Sequence, residues 1–440
     1  MDNPKNFKEQ NIELLAISFS YPPLVYPRSI QVARLLRHLD SSTVVVCADE
    51  KGYPRDATLE PHADAFLEKC LRVPFAMPRW RAAISAVAAR LRAPVWHKLP
   101  DYYRSWTPQA LKATEAYMRE ARYRPNVLVT FGSPMSDHLL GWQLARRHSL
   151  PWVAHFSDPW VDNPFNRYDR LTSALNFLLE RKVVGTADRL VFTSLETLDL
   201  VMAKYPKSWA AKGRVLPHAF DKALYPAPAL DDKPKLTLRY LGELYGHRTA
   251  TPLFAALARI AAAEPSSLSD VQIELIGLSD EATLNTASLA SLPAALVTVR
   301  RRVSYRESLA LMTSADGLLV IDAPAEKSVF LPAKLVDYIG SGRPILGITP
   351  PGTAADLIRR LGGWVADPSD SAAVINVLND YLAYLRQRRR APSHLWGAPD
   401  VRRTFEAPRV APVFANILRE VAISSAPCEN GLEMSPELTE

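Results

Sequence analysis

KSVFLPAKLVDYIGSGRPILGI, Lys327 to Ile348, is the stretch whose reading decides the fold. It reads as a loop, a short helix opening at Pro332, a tight turn at Ser341-Gly342 and a buried strand from Arg343. Proline suits a helix start because its missing N–H would have no partner there. The helix start then stands beyond a strand end, where unpaired N–H groups and the helix dipole favour an anion. Backbone N–H groups around Phe330 and Leu331 face that anion, Lys334 lies in the first turn, and Asp337 follows three residues later on nearly the same face. Two readings of this pair stay open. In one, Lys334 meets a phosphate and Asp337 accepts hydrogen bonds from ribose hydroxyls. In the other, the two form a surface salt bridge of little energetic worth.

Outward from this segment the chain alternates short apolar runs with helical periodicity, the pattern of α/β architecture with parallel sheets. Strands are expected at Leu236 to Gly242, Val271 to Gly277, Leu296 to Val303, Gly317 to Asp322, Arg343 to Thr349 and Gly363 to Asp367, with helices from about Pro252, Tyr305, Pro332, Thr353 and Ser369. An earlier series runs through Ile12 to Phe19, Thr43 to Cys47, Asn126 to Phe131, Pro151 to Phe156 and Arg189 to Ser194. Arg28 to Leu39 reads as a helix over that first sheet, with Arg34, Arg37 and His38 on its polar side. A proline-rich stretch, Pro217 to Lys235, separates the two series. The expected fold is α/β, two Rossmann-like doubly wound parallel-sheet domains facing across a cleft. The expected domains are residues 1–220, 221–390, a helical segment 391–423 returning to the first domain, and a disordered tail 424–440.

Three further stretches agree with the first in order and spacing: FSYPPLVYPRSIQVARLLRHL, PWVAHFSDPW and LRYLGELYGHRTATPLFAAL. Together with FLPAKLVDYIGSGRPIL they resemble family-4 glycosyltransferases of the GT-B fold, bacterial cell-surface polysaccharide type, over residues from Ile12 to about Tyr384. The resemblance implies a retaining transfer from a nucleotide-sugar donor to a glycan or lipid-linked acceptor, with hexosyl transfer the expected type. It places Arg248 and Lys334 against the donor diphosphate and Asp337 on the ribose, although glutamate is the usual residue there. Two departures stand out. Lys327 occupies the place of an acid that usually touches the donor sugar, and the first loop lacks the family's glycine pair, so Arg28 is the expected contact to the donor phosphate or acceptor.

His155 and Asp158 close the strand PWVAHF, where a side chain facing the cleft meets the acceptor. They are the catalytic candidates, to bind sugar hydroxyls or assist deprotonation; the alternative for Asp158 is a turn cap before Pro159. His138 reads as a surface histidine on a helix. No Asp-x-Asp triplet occurs, so no metal and no other cofactor is expected.

With 440 residues and 48% hydrophobic content the chain can bury more than one core. Three cysteines, Cys47, Cys70 and Cys428, are too few and scattered for a disulfide framework, and no signal peptide or membrane span is legible, so a cytoplasmic location is expected. The net charge of +7 favours an anionic partner. Between Cys70 and Pro100 there is no acidic residue but six basic ones, and WRAAISAVAARLRAPVW reads as a basic amphipathic helix, for an anionic membrane surface or simply for the first sheet. Nucleic acid is not an expected partner, since RQRRR near residue 388 belongs to no recognised module. A catalytically inactive scaffold is the alternative function.

Overall fold

The computed structural model describes residues 11–76, 84, 87, 99–164, 168–227, 234–244, 247–277, 286–293, 295–390 and 395–424. Seven parallel strands form the first sheet: β1 (Ile12–Ile17), β2 (Ser41–Glu50), β3 (Lys69–Phe75), β4 (Val127–Gly132), β5 (Trp152–Phe156), β6 (Arg189–Phe192) and β7 (Gly213–Val215). Their order is β3-β2-β1-β4-β5-β6-β7. The second sheet holds β8 (Leu236–Leu241), β9 (Val271–Ile276), β10 (Val297–Arg300), β11 (Gly317–Ile321), β12 (Ile345–Ile348) and β13 (Trp364–Ala366), ordered β10-β9-β8-β11-β12-β13. Each sheet reverses its strand order beside its first strand, at β1 and at β8. That is where open α/β sheets bind ligands, outside the carboxyl ends of the strands.

The central strands form because both of their faces are covered. β4, β5, β11 and β12 are buried along their whole length and are near-continuous apolar runs, while the equally buried β8 carries Arg239 paired with Glu274. The edge strands β3 and β7 were not expected from the sequence: β3 is largely accessible and β7 has three residues, so neither carries an apolar signature. β3 takes the start of the basic stretch from Cys70. Most of the proposed amphipathic helix lies outside the described residues; within it Ile84 and Val87 are helical and exposed. β2 and β3 also bring Cys47 and Cys70, expected to be scattered, to 3.6 Å between sulfurs.

The chain crosses between the halves twice, and the crossings pair. Phe220 N donates to Phe405 O, and Ala407 N to Phe220 O, each at 2.8 Å. The helix Ala407–Ser424 then lies on the first sheet, where Ala411, Phe414, Leu418 and Val421 share a core with Leu14, Val32, Leu36 and Val129. The helix Ser371–Arg390 packs on the second sheet and ends in the run RQRRR. No helix among the described residues is long and apolar enough to cross a membrane.

Candidate functional site

A cleft of about 980 Å³ opens between the two sheets. Arg28, Arg34 and His218 line it from the first half, and Gly242, Arg248 and Lys334 from the second.

On the second side the decisive element is the helix Ala333–Ser341, which follows β11 and leads into β12. Pro332 caps it in extended conformation without a side-chain hydrogen bond, and Gly342 ends it at φ 65°, a left-handed turn that glycine adopts without steric cost. Leu335, Val336, Tyr338 and Ile339 bury its apolar face, while Phe330, Leu331, Pro332 and Ala333 line the cleft at its opening turn. Lys334 extends over Tyr240, with Nζ 4.1 Å from the ring centroid and donating to Oη at 2.5 Å. Burial, then the charge of Arg248, pulls Lys334 down to about 7, against the opposing pull of Asp322 and Glu243. Gly242, at φ 144°, keeps this space open; a Cβ there would stand 2.7 Å from the Lys334 Nζ. Arg248 pairs with Asp322 at 3.4 Å rather than with Glu243, whose carboxylate lies 3.7 Å from Arg302.

Lys334 and Asp337 do not pair with one another. Asp337 Oδ1 accepts from Arg34 Nη2 at 3.0 Å and from Tyr305 Oη at 3.1 Å. Burial raises the Asp337 carboxyl, and Arg34 followed by its hydrogen-bond donors lowers it. The sequence reading put Arg34 on the polar side of its helix; the structure buries it at 6% exposure. Its Nη1 also donates to Ala219 O and its Nη2 to Tyr305 Oη. Lys327, expected at the donor sugar, is exposed and does not line the cleft.

On the first side Arg28 sits at the start of α1 (Pro27–Arg37) and is buried. Its Nη2 donates to His155 Nδ1 at 2.9 Å and to His155 O at 3.2 Å, and its Nε is buried without a partner. Burial pulls Arg28 down to about 10, while Asp158 and Asp137 push it up. A guanidinium only donates, so Nδ1 of His155 is unprotonated and the neutral ring carries its proton on Nε2. Burial, with Arg28 next, holds His155 well below the ordinary histidine range. His155 stands behind Arg28 against Phe131 and Phe414 and does not line the cleft, which corrects its reading as a group that meets the acceptor. Its place fits the support of Arg28. Asp158 does line the cleft, accepts from Ser157 Oγ at 2.7 Å, and is raised by burial.

His138 is a second correction. It is fully buried with Nδ1 2.7 Å from Thr130 Oγ1, because the first turn of its helix, Ser136–His148, packs against β4. Sequence reasoning also missed Asp322, Tyr305 and His218. Asp322 closes an apolar strand at the switch point, a signal that was available; Tyr305 and His218 gave none. Tyr26, Tyr53 and Tyr103 add an aromatic wall, in which the first two rings stack at 3.8 Å and 10°.

No family model matches the sequence, and no curated protein does. Among solved structures, sucrose-phosphate synthase (tll1590) from Thermosynechococcus elongatus is similar at TM-score 0.64 and 16% identity, covering 93% of this chain and 99% of that one. Anabaena Alr3699/HepE in complex with UDP and glucose gives 0.62 and 13%, covering 93% and 100%. The lipopolysaccharide outer core galactosyltransferase WaaB, in its apo form, gives 0.55 and 13%, covering 92% and 99%. At these identities the likeness is one of fold. Both Rossmann-like domains match, and the fold is GT-B.

Proposed function

We propose that the protein is a glycosyltransferase that takes a sugar, a hexose by type, from a nucleotide-sugar donor held by its second half. The observation that carries this reading is the convergence of Lys334, Arg248 and the uncapped start of the helix Ala333–Ser341 on a cleft at the switch point of the second sheet. Three sources of positive potential face one volume. HepE, alike in fold, was captured with UDP and with UDP-glucose, which fits an anion of that kind.

In this reading the diphosphate lies on Lys334, Arg248 and the N–H groups near Phe330 and Leu331, and Asp337 takes the ribose. Charge grows on the leaving nucleoside diphosphate as the glycosidic bond breaks, and these fixed cations stabilise it without a metal. Arg28 adds a further cation from the opposite wall, with Asp158 beside it to accept a hydrogen bond from a sugar hydroxyl. Departure and attack then share one face of the donor sugar, so the anomeric configuration is retained. The tyrosine wall suits the ring of a saccharide acceptor, free or lipid-linked. Cell-surface polysaccharide assembly at the inner face of the membrane is the setting we infer from the sequence resemblance.

Melting curves with UDP-, GDP- and ADP-sugars, each with and without EDTA, test the proposal. One nucleotide class raises the melting temperature by several degrees, because a ligand that binds only the native state stabilises it, and EDTA leaves the rise unchanged. No rise with any donor would favour the scaffold reading instead.

A further inference from the structure

Arg34 belongs to α1 of the first half, yet its guanidinium ends on the second half. It meets Asp337 across 303 sequence positions at 3.0 Å, and both side chains are nearly closed to solvent, at 5% and 12% exposure. Tyr305 donates to the same oxygen, Oδ1. Among the described residues nothing donates to the other oxygen, Oδ2, and Asp337 lines the cleft. Tyr225 holds the backbone of the same residue, donating from Oη to Asp337 O at 2.9 Å. One carboxylate oxygen is therefore fixed by donors from both halves, and its twin is left for a ligand.

A second contact ties the same region across the cleft. Val329 O accepts from Ser194 Oγ at 2.8 Å and Thr197 Oγ1 at 3.0 Å, both from the first half, one residue before Phe330. Thr353 Oγ1 of the second half donates to the same carbonyl at 3.2 Å, so this wall of the cleft is held from both halves.

We propose that Arg34 is a positioning residue for nucleoside recognition: it holds Asp337 Oδ1 from across the cleft, leaves Oδ2 for the vicinal hydroxyls of a ribose, and so makes ribose reading depend on the two halves being closed. The inference rests on the nucleotide-sugar reading of the cleft. Arg34 lines the cleft, and in this role it acts through Asp337. Burial raises the carboxyl and the guanidinium opposes that rise, and an ionised acceptor binds a hydroxyl more strongly than a neutral one. A buried carboxylate deprived of its cation takes up a proton or turns away, and ribose selection is lost.

Calorimetric titration of the full chain with UDP and 2′-deoxy-UDP, and with the guanine and adenine pairs, reads this directly. The wild type prefers the ribonucleotide of its own base by about tenfold, the size expected of one charge-assisted hydrogen bond. Arg34→Gln brings the preference within about twofold while the Kd for the deoxynucleotide stays within about twofold of wild type. Asp337→Asn has the same effect. Tyr305→Phe, a milder change that keeps the ion pair, shifts the ratio part of the way and covers the case in which Arg34→Gln does not fold. Equal weakening of ribo- and deoxynucleotide by Arg34→Gln, or an unchanged ratio, overturns the proposal and leaves the nucleotide site standing. Failure of the wild type to bind any of the six nucleotides overturns both.

Discussion

Lys334 shows how strongly one residue's surroundings set its use. Burial and the neighbouring Arg248 bring it to about 7, so near neutral pH it is charged in only part of the population. A nucleotide sugar carries a diphosphate diester that does not titrate near neutrality, and it binds the charged form. Below about pH 7 the lysine is already protonated and affinity is flat. Above that value the ligand must bring a proton in with it, and affinity falls as pH rises. Between pH 6.5 and 8.5 the Kd for a UDP-sugar should weaken by about 25-fold, the protonated fraction setting the slope. Lys334→Arg should flatten the profile, since a guanidinium stays charged throughout. A wild-type profile that is flat over this range would remove Lys334 from the phosphate. Titration monitored in two buffers of different ionisation enthalpy would count the proton taken up.

At the scale of elements, the end of β8 and the start of the helix Ala333–Ser341 act together. Gly242 turns the chain at φ 144°, where an L side chain is strained, and its hydrogens face the Lys334 amine. Gly242→Ala should therefore cost about 1–2 kcal/mol, read as a melting temperature lower by a few degrees, and should displace the amine as well. The Kd for a nucleotide sugar should rise by about tenfold, more than the stability loss alone would give. A stability loss with unchanged affinity would show that the glycine serves only the turn. These two elements were legible in the sequence because their signals are local: an apolar run, a glycine, a proline, then a lysine in the first turn. Arg34 was not legible, since on α1 it occupies what reads as the solvent side and its partner lies 303 positions away. His155 was misplaced for a related reason. Its position at a strand end was read correctly, but which side of the strand faces the cleft depends on Arg28, which fills the space between. Edge strands β3 and β7 escaped for local reasons: β3 carries Lys69, Arg72 and Pro74 within its run, and β7 has only three residues.

The whole molecule is not simply two beads on a string. The helix Ala407–Ser424 follows the second sheet in sequence but completes the core of the first, so the integrity of the first half depends on this helix. Phe414 is fully buried there, its ring 6.3 Å from Phe131 and 6.2 Å from His155, whose own ring holds Arg28 toward the cleft. Phe414→Ala leaves a cavity that neighbouring strands cannot fill, at a cost of about 3–5 kcal/mol. The location of the damage separates this architecture from one in which the terminal helix serves the half that precedes it. Hydrogen exchange should speed up in β1, β4 and β5, with β8, β11 and β12 protected as in the wild type. Nucleotide binding should weaken less than fivefold in proteins that remain folded, because Lys334 and Arg248 keep their places and only Arg28 loosens. Faster exchange confined to the second sheet would mean that the helix Ala407–Ser424 belongs energetically to the second half, and the support of Arg28 by His155 and Phe414 would then have no part in holding the cleft.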